Sequence, residues 1–75
     1  MDIDPFDAKV AAAIEWAPHG GGTALEIDAA FSMTEVAFYR HVLALIRTDE
    51  YRRRLPDVVL ERLTDIARYR IQSEN

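Results

Sequence analysis

Apolar residues recur along this chain at helical spacing, and no segment of useful length alternates as a strand would. Phe6, Val10, Ala13, Ile14 and Ala17 fall on one helical face. Asp4-Pro5 predicts where that helix starts, since aspartate can accept from an orphaned N–H and proline needs no donor at the first helical position. Pro18 predicts its end, because the residue before a proline is pushed out of the α region. His19-Gly20-Gly21-Gly22 reads as a loop. Thr23-Ala24-Leu25-Glu26 has the form of a capping box and opens a helix over about 24–31, with Ile27 and Phe31 inward. Ser32-Met33-Thr34 is a tight turn, and Thr34 caps a third helix that runs to about Arg47 with Phe38, Val42, Leu45 and Ile46 inward. Thr48-Asp49-Glu50 starts a short helix over 49–54, which Leu55-Pro56 interrupts. The last helix spans about 56–71, with Val59, Leu60, Leu63, Ile66 and Ala67 inward. Ser73-Glu74-Asn75 is expected to fray.

The expected fold is therefore all-α: one small domain over 1–75, of four to five helices, with a central helix-turn-helix at about 24–47. Ile27, Phe31, Met33, Phe38 and Val42 fall at the buried positions of that motif. The run Ile27-Asp28-Ala29-Ala30-Phe31-Ser32-Met33-Thr34 resembles the helix-turn-helix pattern Ile-Ala-x-x-Phe-Gly-Met-Thr. Asp28 stands where the pattern has a small alanine, and must reach solvent or find a partner. Ser32 stands where the pattern has a turn glycine, and serine takes a left-handed conformation only at a cost. A wider set of residues carries a second likeness: Glu15-Trp16, the glycine-containing gap, Ile27, Phe31 to Thr34, the paired Phe38-Tyr39, Leu43, Leu45-Ile46, then an acidic-basic stretch and a proline-started basic helix. Over roughly residues 10–70 this is similar to a small actinobacterial helix-turn-helix family of unknown function. The resemblance implies a DNA-binding type of helical fold and an actinobacterial or actinophage origin, and no established activity.

Composition narrows the picture. Of 75 residues, 49% are hydrophobic and 29% charged, the balance of a folded globular chain rather than a disordered one. Without cysteine there is no disulfide frame and no thiolate zinc site, which fits a reducing, cytoplasmic setting. Met1 to Pro5 is acidic where a secretory leader would be basic, and runs such as Val10 to Ile14 or Val42 to Ile46 fall far short of the ~20 residues a bilayer needs, so no leader and no membrane span are expected. The net charge of −4 works against non-specific nucleic-acid binding, but it is polarised. Up to residue 39, Lys9 alone stands against seven carboxylates; all eight arginines follow, against six carboxylates.

In a helix-turn-helix the N-terminal part of the second helix enters the major groove. With Phe38 and Val42 inward, the expected outward residues are Glu35, Val36, Tyr39, Arg40 and Leu43. Arg40 suits guanine or phosphate, Tyr39 suits phosphate, and Glu35 suits a cytosine amino group. Thr23, Thr34 and the free N–H groups at their helix starts suit phosphate. Arg47 and Arg52-Arg53-Arg54 would supply contacts that release counterions. The partner on this reading is double-stranded DNA, and the role a bacterial or phage transcription regulator, acting as a homodimer because one acidic module should bind weakly alone.

The alternative is a small protein-interaction or dimerisation module that docks on a transcription or other host protein without binding DNA, through the last helix or through Val36, Tyr39 and Leu43, a second apolar stripe on the third helix. Enzyme activity is not expected. His19-Gly20-Gly21-Gly22 matches an oxyanion-hole sequence only superficially, because no Gly-x-Ser-x-Gly nucleophile accompanies it. His19 and His41 are the only histidines, and their spacing makes no metal pair. No cofactor, metal or small-molecule substrate is expected.

Overall fold

A computed structural model of the protein describes residues 7–73. Within them lie α1 (Ala8–Trp16), a 3₁₀ turn (Ala17–His19), α2 (Ala24–Phe31), α3 (Glu35–Ile46), α4 (Asp49–Arg54) and α5 (Asp57–Gln72). There is no strand among the described residues. The expected small all-α domain is what the chain forms.

Most boundaries follow from local chemistry. Thr23 Oγ1 accepts from the Glu26 N–H while the Glu26 carboxylate accepts from the Thr23 N–H, so both halves of the capping box are made. Thr34 accepts from Ala37 N–H and Thr48 from Tyr51 N–H at the starts of α3 and α4. Ser32 ends α2 in the left-handed region at φ 55°, ψ 43°, where the sequence pattern wants glycine.

Two expectations need correction. The cap of α1 is Asp7, whose Oδ1 accepts from Lys9 N–H, so this helix opens later than an Asp4-Pro5 start. Asp4, Pro5 and Phe6 lie outside the described residues, as do Glu74 and Asn75 of the expected frayed end. Pro18 does not force its predecessor into an extended conformation. Ala17 stays helical at φ −55°, ψ −38°, and the chain tightens into the 3₁₀ turn before Gly20 reverses it at φ 85°.

The core is organised around α3, which packs against each of the other four α-helices and most extensively against α5. It contributes Phe38, Tyr39, Val42 and Ile46; α1 brings Val10 and Ala13, α2 brings Ile27, and α5 brings Leu63 and Ala67. Tyr51 and Leu55, at α4 and its end, are also buried, although the pattern of that segment does not mark them as core. Ile14, Phe31, Leu45, Val59, Leu60 and Ile66, expected inward, are half-buried against this cluster. An aromatic row ties three elements together. Ring centroids lie 5.8 Å apart for Trp16–Phe38, 5.5 Å for Phe31–Phe38 and 4.9 Å for Phe38–Tyr39, within the range where aromatic pairs add to simple burial. Trp16 lies against the Gly22 backbone so closely that a Cβ there would overlap its ring. The glycine run is thus the surface on which this anchor rests.

Candidate nucleic-acid interface

The face that α3 presents to solvent differs from the expected one. The sequence pattern places Tyr39 and Leu43 outward. In the fold Tyr39 is only 1% exposed, and Leu43 packs against the core. The cause is α5, which lies along that side of α3 and brings Ile66 and Arg70 to the Tyr39–Gly21 contact. The exposed residues of α3 are Ala37, Arg40 and Ala44, with Arg47 at its C-cap; Val36 is half-buried beside them. Their spacing of three and four makes a single stripe along the helix. Burial on two sides leaves only this narrow strip open.

Arg70 locks the arrangement. Its Nη1 donates to the Gly22 carbonyl at 2.6 Å and to Glu35 Oε2 at 2.6 Å, and its Nη2 donates to the Gly20 carbonyl at 3.0 Å. The guanidinium also sits 5.7 Å from the Tyr39 ring centroid. The Tyr39 hydroxyl accepts from Gly22 N–H at 2.9 Å. Burial pushes the phenol up from its ordinary value, more strongly than the Gly22 hydrogen bond and the nearby Arg70 charge pull it down. Tyr39 and Glu35 are therefore committed internally. Glu35, expected to face a base, is instead held in an ion pair whose two side chains are each 18% exposed. Arg70 carries no signal in the sequence, because its partners lie up to 50 residues away in the chain.

The expected phosphate sites at helix starts are altered in the same way. Glu26 places its own carboxylate on the Thr23 N–H, so the anion position at the start of α2 is already filled. Thr23 makes the cap expected of it, with a carboxylate beside the expected phosphate position. Thr34 is exposed with its oxygen accepting from Ala37, and its hydroxyl hydrogen is left for a further acceptor.

The arginines after α3 divide. Arg52, Arg53 and Arg54 are all exposed. Arg54 pairs with Glu50 at 3.0 Å across one helical turn. Arg52 stands between Arg47 on one side and Asp57, Glu61 and Asp65 of α5 on the other, in two adjoining shallow clefts. Arg52 thus shares a cleft with carboxylates of α5, and Arg40, Arg47 and Arg52 make no ion pair among the described residues. His41 Nε2 lies 3.7 Å from Asp7 Oδ2, on the side of α3 that meets the start of α1. Among the described residues no group of three metal-ligating side chains converges, and no helix is long and apolar enough to cross a membrane.

The chain has no significant match to a family model, to a curated protein or to a solved structure.

Proposed function

We propose that this chain is a helix-turn-helix domain that binds double-stranded DNA as a bacterial or phage transcription regulator, and that it does so through the Ala37-Arg40-Ala44-Arg47 stripe. The observation that carries the reading is the make-up of this stripe. On the second helix of the motif, in a chain of net charge −4, the open strip holds two arginines, two alanines and no carboxylate. Alanines keep the helix slim, so it can approach the groove floor, and their methyls suit contact with thymine methyl groups. Arg40 has the fork that matches guanine O6 and N7. Arg47, seven residues further on and about 10.5 Å along the axis, suits a phosphate. On the rival face Tyr39 is buried and Leu43 packs against the core, while Val36 is half-buried beside the stripe, and no partner is proposed there.

The test is selection from random duplexes followed by titration in rising salt. Binding should weaken as salt rises. Arg40→Ala should cost about 1–3 kcal/mol at one base position and relax the preference there, while Arg47→Ala should weaken all duplexes alike and lower the salt slope by about 1. If no duplex is retained at low salt, the proposal fails.

A further inference from the structure

Two features of the surface take no part in the α3 stripe, and they fit each other. The first is a shallow groove of about 210 Å³ between α1, the 3₁₀ turn and the start of α5. Ile14, Ala17, Pro18, Val58 and Val59 make it apolar, and Arg62 stands in its wall. Val58 is 68% exposed there, and Arg62 makes no ion pair among the described residues. The second is a knob on α2. Leu25 is 81% exposed, more than any other large hydrophobic residue described. One turn on, Asp28 is also exposed and without an ion pair among the described residues. Positions three apart on a helix are neighbours on its surface, so leucine and carboxylate form one patch.

A single exposed leucine is ordinary on a protein surface. What gives this one meaning is the matching pair. An apolar knob with an adjacent anion meets an apolar groove with an adjacent cation on the same chain. Asp28 also departs from the small residue that the helix-turn-helix pattern has there, and the fold itself does not use its charge. A chain of 75 residues buries a modest share of its surface and gains by sharing a face with another copy.

We infer that the protein forms a two-fold dimer in which Leu25 of each protomer seats in the groove of the other and Asp28 meets Arg62. Each protomer supplies one knob and one groove, so a two-fold arrangement makes the contact twice, whereas the same contact made head-to-tail would grow open-ended. The α3 stripe takes no part in them, and the inference stands independently of DNA binding.

The experiment measures the mass of the full chain in solution without DNA, by analytical ultracentrifugation across a range of concentrations. The wild type should show a monomer–dimer equilibrium. Leu25→Asp and Val58→Asp should each raise the dissociation constant by about tenfold or more. Both positions are exposed, so far-UV circular dichroism should be unchanged. The decisive arm is a charge swap. Arg62→Glu alone sets two carboxylates against each other at both contacts, and Asp28→Arg alone sets two guanidinium groups against each other, so each variant should be monomeric. Mixed together they should pair, because both contacts are then between opposite charges. A wild type that stays at 8.5 kDa at every concentration, a dimer indifferent to Leu25→Asp and Val58→Asp, a mixture that stays monomeric, or open-ended growth in mass would each overturn the inference.

Discussion

Arg70→Met tests the lock between α5 and the rest of the fold most directly. Methionine keeps most of the aliphatic stem and deletes the guanidinium. The losses are the bond to the Gly22 carbonyl, the bond to the Gly20 carbonyl, the ion pair with Glu35 and the contact with the Tyr39 ring. A hydrogen bond to a charged group contributes roughly 1.5–3 kcal/mol. The Gly20 bond is exposed and falls below that range. Glu35 is left without its partner at 18% exposure; full burial would make that cost about 3–5 kcal/mol, but the carboxylate can turn partly to water. Together these give a loss of about 2–4 kcal/mol, against a total of about 4–11 kcal/mol expected for a chain of this length. In a domain this small that lowers the thermal midpoint by roughly 10–25 °C. Urea titration followed by circular dichroism measures it. Arg70→Lys should recover only part of the loss, because an ammonium cannot present the planar fork. A double-mutant cycle with Glu35→Gln should show coupling of about 1 kcal/mol or more. An Arg70→Met variant within about 0.5 kcal/mol of wild type would refute the reasoning, since a guanidinium this well engaged cannot be neutral if the contacts persist in solution.

Three further outcomes follow from the same packing. Ser32→Gly should stabilise the protein by about 1 kcal/mol in a urea titration, because it removes the cost of a Cβ at φ 55° while α2 keeps its terminal bond to Asp28. Leu43→Asp should destabilise by about 2 kcal/mol or more in the same assay, because the residue packs against the core; a folded, equally stable variant would mean that α5 does not cover that face. Tyr39 sets an alkaline limit. Its phenol is raised in the folded state above the ordinary value of 10.0, so the fold holds this proton more tightly than the unfolded chain does. The stabilisation is complete below about pH 10 and is lost as pH rises through the folded value. Thermal midpoints from about pH 8 to 11 should therefore fall less steeply in Tyr39→Phe than in wild type, and parallel curves would contradict this.

Features decided within four residues were legible in the sequence. The Thr23–Glu26 box, the Thr34 and Thr48 caps and the left-handed Ser32 each depend on neighbours in the chain, and each could be placed from residue types alone. The phase of α3 could not. Val36, Phe38, Tyr39, Val42, Leu43, Leu45 and Ile46 make this helix apolar around most of its circumference, so a stripe at 36, 39 and 43 is as visible as the one at 38, 42 and 46. Only the docking of α5 decides which apolar side is covered. That docking brings Leu63 and Ala67 into the core and adds Arg70 bonds that cross 35 to 50 residues of chain. Tyr51 escapes a sequence reading for a related reason. A six-residue helix of mostly charged residues gives no periodic signal, and the burial of Tyr51 depends on α4 turning back onto α3.

The same geometry bears on how such a domain would hold DNA. Helix-turn-helix domains commonly set their register with phosphates held at helix starts, where the N–H groups point outward. Here the first turns of α2 and α3 carry Glu26 and Glu35. The former accepts from the N–H at the start of its own helix, while at α3 Thr34 takes the Ala37 N–H and Glu35 is paired to Arg70, so a phosphate at either start would meet a carboxylate. On the proposed reading, phosphate contacts fall instead to the far end of α3 and to α4, where Arg47 and Arg53 are exposed. Few phosphate contacts mean a modest salt slope and weak binding for one copy. Paired protomers would double the number of contacts and add an effective concentration of the second site. On the same proposed reading, the acidic first half of the chain would suppress binding to arbitrary duplexes and leave Arg40 to discriminate between sequences.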